Sequence, residues 1–188
     1  MEVRYRFLKV HSVRKKLIFS LVLAVLLSAT GSELGSRQSF AQNAAKRDAS
    51  FQNHLAIIVN RSNPIDNIPY IELQKVFLGE RDRWTNGRRV TTVMRERGSP
   101  EREFVLNALY GMAERDFERH WLQVQFTGEA QSPPKILSSA EGMKRFVFNV
   151  SGAIGYLRAD ELDDSVKVIR VDGRAPGEAS YRLRLQMP

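Results

Sequence analysis

The sequence predicts an α/β domain: a layered structure with a mixed, mostly parallel sheet flanked by helices. Apolar or β-branched runs recur at residues 55–59, 90–93, 153–157 and 165–171, each of strand length. Between them lie stretches whose apolar residues repeat every three to four positions, the period of a helix buried along one face. Segments of the two kinds alternating along one chain indicate helices that connect strands of a shared sheet.

The chain begins with a targeting pattern. Arg14-Lys15-Lys16 precede an apolar run over residues 17–27, too short for the roughly 20 residues that span a bilayer. Ser39-Phe40-Ala41 carries small residues at the spacing of a cleavage site, so residues 1–41 are expected to be a signal peptide, with an earlier cut near Gly31 as the alternative. The implied location is periplasmic or otherwise extracytoplasmic, with no stable membrane span after cleavage. Residues 42–54 read as a polar, flexible leader, and residues 55–173 as the domain itself.

Leu55-Ala56-Ile57-Ile58-Val59 is a continuous apolar strand, suited to a sheet covered on both faces. Residues 60–69, rich in Asn, Ser, Pro and Asp, read as loop. Tyr70, Leu73, Val76 and Phe77 then follow helical spacing, with Gly79 placed to stop the helix. A charged loop with one large apolar residue, Trp84, leads to the strand at residues 90–93. Arg95, Gly98 and Ser99 lie in a turn before a helix opened by Pro100. Phe117, Trp121, Val124 and Phe126 line a further helix. Ser138 and Glu141 have capping-box spacing ahead of Met143, Phe146, Val147 and Val150. A short strand over residues 153–157 and a last one over 165–171 follow, and residues 174–188 lack any period and are expected to be an extended tail.

Composition narrows the function. The chain has 188 residues and no cysteine, which excludes disulfides, thiolate metal sites and a cysteine nucleophile. Of its 29 Lys/Arg and 21 Asp/Glu, seven and two fall in residues 1–41, so most of the net charge of +8 belongs to the expected signal peptide. The rest alternates in sign, as in Glu80-Arg81-Asp82-Arg83, the pattern of a solvated surface and not of nucleic-acid binding. The three histidines, His11, His54 and His120, form no dyad or metal motif, and Glu161, Asp163 and Asp164 lack the spacing of a calcium loop. The expectation is a protein without a cofactor and not an enzyme.

One stretch can hold an anion. A strand emptying through a Gly-Ser turn into a helix N-terminus presents unpaired N–H groups and the positive end of the helix dipole, with the Arg95 fork alongside. The same residues also make an ordinary capped helix, with Ser99 as N-cap, Pro100 at the first position and Glu101 complementing the dipole.

Four stretches in order resemble the phosphate ABC-transporter substrate-binding proteins, a branch of the type II periplasmic binding proteins. They are Ile57-Ile58-Val59-Asn60-Arg61-Ser62-Asn63-Pro64, Glu72-Leu73 through Val76-Phe77-Leu78-Gly79 with Trp84, Val93-Met94-Arg95-Glu96 with Gly98-Ser99, and Gly152-Ala153-Ile154-Gly155-Tyr156. The resemblance implies the fold of one lobe of such a protein and a phosphate or similar oxyanion site using Arg95, Gly98 and Ser99. The partners it implies are an ABC-transporter permease and a second lobe or protomer. The family continues Gly-Ser-Gly-Thr at the turn, whereas here Pro100 and Glu101 follow Ser99. A second lobe before residue 55 is expected to be absent, so a single-lobe form is expected. The alternative reading is a periplasmic interaction or regulatory module that has lost the ligand.

Overall fold

All five residues of β1 (Leu55–Val59) are buried, as their uniform apolarity requires. The computed structural model describes residues 51–127 and 132–185; the expected signal peptide and most of the leader lie outside them. Around β1 a six-stranded sheet forms with β2 (Asn67–Ile68), β3 (Thr91–Arg95), β4 (Lys135–Leu137), β5 (Ala153–Arg158) and β6 (Lys167–Val171), in the order β2-β6-β1-β5-β3-β4. Strand β1 runs antiparallel to both neighbours, while the β2–β6, β3–β5 and β3–β4 pairs are parallel. The sheet is thus mixed and mostly parallel.

The pleat sends alternate side chains to two cores. On one face Ile57, Met94, Ile154 and Tyr156 meet α1 (Tyr70–Leu78), α2 (Pro100–Val105, continuing as a π turn over Leu106–Tyr110) and α3 (Glu114–Thr127). On the other, Ile58, Val93, Ala153 and Leu157 meet Met143 and Val147 of α4 (Ala140–Asn149). Helices on both faces of a sheet are what the alternating segments predicted.

Local chemistry sets the helix ends. Helix α1 starts after Pro69, which offers no side-chain cap; Asp172, just past β6, instead accepts the Tyr70 N–H at 2.9 Å. Gly79 ends α1 in a left-handed conformation, φ 81°. The widened turn after α2 frees the Ala108 carbonyl, which accepts from the Tyr70 hydroxyl and from Gln74 of α1.

Several expectations need correction. Strand β3 begins at Thr91 and extends to Arg95, so Arg95 is a strand residue and not part of the turn. The short strand β2 lies in the stretch read as loop, and β4 in residues for which the sequence predicts no element; with two and three residues they carry too little pattern to be seen. The cap of α4 is Ser139, whose side chain accepts from the Gly142 N–H, not Ser138. Phe126 is 83% exposed and lines no core. The stretch after residue 173, expected as an extended tail, packs against the domain. Tyr181, Leu183 and Leu185 are buried, and the main chains of Leu55 and Leu185 bond to those of Leu183 and Asn53. Trp84 is buried at 3% exposure and donates its indole N–H to the Gly152 carbonyl at 2.9 Å, tucking the charged loop against the sheet.

Candidate functional site

The site lies at the C-terminal ends of β3 and β5, the edge where open α/β sheets hold ligands. Thr91 and Thr92 pair with Ala153 and Ile154. The ladder stops there although both strands run on, to Arg95 and Arg158. On its other side β3 stays paired with β4 through Arg95, opposite Leu137.

Side chains replace the missing ladder. The Tyr156 hydroxyl accepts the Arg95 N–H at 3.0 Å, and the Arg95 carbonyl accepts from Arg102 Nη1 at 2.9 Å. Arg102 is 4% exposed and sends Nε and Nη2 to the Glu114 carboxylate at 2.8 and 2.7 Å. This two-pronged fork is the geometry in which arginine binds carboxylates best, and it holds the Glu114 carboxyl below its usual range. The Arg102 guanidinium also lies 5.0 Å from the centre of the Phe117 ring. Burial drives the Tyr156 phenol above its ordinary range, opposed by the Arg95 N–H bond.

Arg95, Gly98 and Ser99 come together in one tight connection. Gly98 takes φ 83°, the left-handed conformation a side chain would resist, and so lets the strand turn into α2. Ser99 caps α2: its hydroxyl oxygen accepts the Arg102 N–H at 3.3 Å. The hydroxyl proton is not consumed by that bond and remains able to donate. Pro100 contributes no N–H at the helix start. Glu101 is 8% exposed and faces Arg158, with its carboxylate 3.8 Å from the guanidinium. Arg158 in turn lies 3.5 Å from Asp160.

The charges are therefore unevenly matched. Glu114 compensates Arg102, and Glu101 with Asp160 compensates Arg158. Arg95 makes no ion pair among the described residues, and its Nε is shut away from water without a hydrogen-bond partner. A guanidinium left with unspent donors beside a helix start can take an oxyanion.

Arg102, Glu114 and Arg158 were not singled out by the sequence, and Tyr156 entered only as the end of the fourth matching stretch, with no role at the site. Tyr156 sits in a run already explained as a buried strand, and Arg102 and Glu114 in helices whose polar residues read as surface. Apart from Arg158 with Asp160, two residues on, these pairings depend on tertiary contact and spacing gives no sign of them. Among the described residues no three His, Cys, Asp or Glu side chains gather as a metal site. Asp163 instead bonds Lys144 and Ser165.

No family model matches the chain. Among solved structures, an ABC-type phosphate transport receptor from Vibrio cholerae aligns with a TM-score of 0.52 and 23% identity, over 65% of this chain and 48% of that one. A Clostridium perfringens protein assigned to the phosphate ABC transporter substrate-binding proteins, with phosphate bound, aligns at 0.54 and 22% identity, over 65% and 46%. The domain has the fold of part of these proteins. PstS from Borrelia burgdorferi shares it at a TM-score of 0.51 and 14% identity, over 65% and 49%. At these identities the likeness is one of fold, and the chain spans about half the length of the receptors it matches.

Proposed function

We propose that the chain is an exported, non-enzymatic domain of the solute-binding type that binds phosphate or a similar oxyanion through a half-site of Arg95, Gly98 and Ser99. One observation carries this reading: among three arginines at the same edge of the sheet, Arg95 alone lacks an acidic partner among the described residues and keeps a buried, unbonded Nε. An anion at that edge would meet the Arg95 fork, the free proton of the Ser99 hydroxyl and the main chain of a turn that Gly98 makes possible. The phosphate held by a receptor of the same fold makes phosphate the first ligand to test. Binding by the isolated chain is weak, because Pro100 removes a donor and Glu101 sets a carboxylate nearby. A second protomer or lobe, or an ABC-transporter permease, is the partner that supplies the remaining contacts. Export is supported by the basic and apolar run over residues 14–27.

The test is calorimetric titration of the purified chain with phosphate, with sulfate in parallel and Arg95→Ala as control. Saturable phosphate binding that disappears in the variant supports the reading. Glu101 favours a second one, a periplasmic interaction or regulatory module in which this buried carboxylate, facing Arg158, stands where the anion would be. Silence up to millimolar phosphate selects that second reading.

A further inference from the structure

We infer that Tyr156 and Arg102 are positioning residues for the oxyanion half-site, clamping the main chain of Arg95 across the gap between β3 and β5; this rests on the function proposed above. In a continuous sheet, the strand next to β3 would hold the N–H and C=O that Arg95 turns toward β5. Here the β3–β5 pairing ends at Thr92 and Ile154, and two side chains take its place: the Tyr156 hydroxyl on the N–H at 3.0 Å and the Arg102 guanidinium on the carbonyl at 2.9 Å.

Opening the gap is what frees the C-terminal edge of the sheet for a ligand. It also removes the ladder on the β5 side of Arg95, leaving the pairing with Leu137 of β4 as the one ladder that fixes where its side chain starts. The clamp restores fixity on the β5 side without closing the gap. Each half of it is anchored: the Tyr156 ring is fully buried in the core, and Arg102 is fixed by the Glu114 fork and the Phe117 face. Tyr156, like any tyrosine phenol, is neutral at neutral pH, so it adds no negative charge beside an arriving anion. A phenolate there would repel the ligand.

Tyr156→Phe removes one hydroxyl and keeps the buried ring, so it separates positioning from packing. Two readouts are taken on the full chain: phosphate affinity by calorimetry, and exchange of the Arg95 amide hydrogen by NMR, with the thermal midpoint as a check on folding. The expected result is an affinity about fivefold weaker, the worth of roughly one hydrogen bond, with faster exchange at Arg95 and little change elsewhere. Glu114→Gln, at the far end of the same chain of contacts and outside the core, is the second variant if Tyr156→Phe folds poorly. It is expected to weaken binding in the same direction by loosening Arg102. Unchanged affinity in the variant that folds, with the unmodified chain binding phosphate and Arg95→Ala abolishing it, overturns the clamp and leaves the half-site standing. Silence of the unmodified chain at millimolar phosphate overturns the half-site, and the clamp's role falls with it.

Discussion

Gly152 has no side chain where its backbone meets Arg89: a methyl placed there would lie 2.0 Å from the Arg89 carbonyl oxygen. The same residue's carbonyl accepts the Trp84 indole at 2.9 Å and the Thr91 N–H at 3.0 Å. Gly152→Ala therefore pushes apart a backbone contact that carries two further bonds, and is expected to cost about 3 kcal/mol, the upper range for overpacking. Urea denaturation, read as a lowered midpoint at unchanged slope, checks it. A second residue-scale effect depends on pH. The hydrogen bond from Lys144, helped by Ser165, holds the Asp163 carboxyl at about 2, below its ordinary 3.8. Because the folded value is the lower one, this contribution is fully present above the ordinary value and is lost as pH falls from there through about 2. The thermal midpoint should fall over that window, and Asp163→Asn should fall less across it while starting lower at neutral pH. Equal slopes in the two proteins would remove Asp163 from the account.

At the scale of elements, α4 shows what the sequence reveals and what it hides. Its apolar period at Met143 and Val147 gives the helix and the face that meets Ile58 and Val93. A Ser three residues before a Gly N–H sets its start, but two adjacent serines, Ser138 and Ser139, make the cap ambiguous by one position. Ser139→Ala is expected to cost about 1 kcal/mol and Ser138→Ala close to none, a difference that paired denaturation curves resolve. The other end of α4 is capped from far away: Asn60, just after β1, donates to the carbonyls of Val147 and Phe148 at 2.8 and 2.6 Å. No spacing rule links residues 87 and 88 apart, so such a cap is invisible until the fold is in hand. The candidate site divides the same way. Arg95, Gly98 and Ser99 are neighbours in sequence and their strand–turn–helix chemistry is local, hence legible. The clamp from Tyr156 and Arg102 is made by the packing of β5 and α2, so no local pattern announces it.

For the whole molecule, the stretch after Gly173 changes the picture most. Read as a whole it shows no clear period, and it is expected to be an extended tail, although its last residues alternate apolar and polar from Tyr181 to Leu185. Its alternate residues Tyr181, Leu183 and Leu185 nevertheless enter the larger core beside β1. The Tyr181 hydroxyl donates to the Leu55 carbonyl at 2.8 Å, and Leu55 and Leu185 add main-chain bonds to Leu183 and Asn53. The alternation of Tyr181, Leu183 and Leu185 is a strand-like signal that the reading as a tail passes over, and the antiparallel bridge between His54 and Arg184 is what it amounts to in the fold. The energetic weight of this strap is large. Each fully buried large apolar side chain contributes about 1.5–3 kcal/mol, so three are worth roughly 5–9 kcal/mol. The total stability of a domain is about 5–15 kcal/mol. A chain ending at Gly177 should therefore lose most of its stability, exposing Leu55 and Ile57 to water. Denaturant unfolding followed by both tryptophan fluorescence and far-UV circular dichroism tests this. The expected outcome is a truncated chain with no cooperative transition, or one shifted to much lower denaturant. A midpoint within a few tenths molar of the full chain's would show that the strap decorates a core already complete without it, and the domain boundary would return to the end of β6.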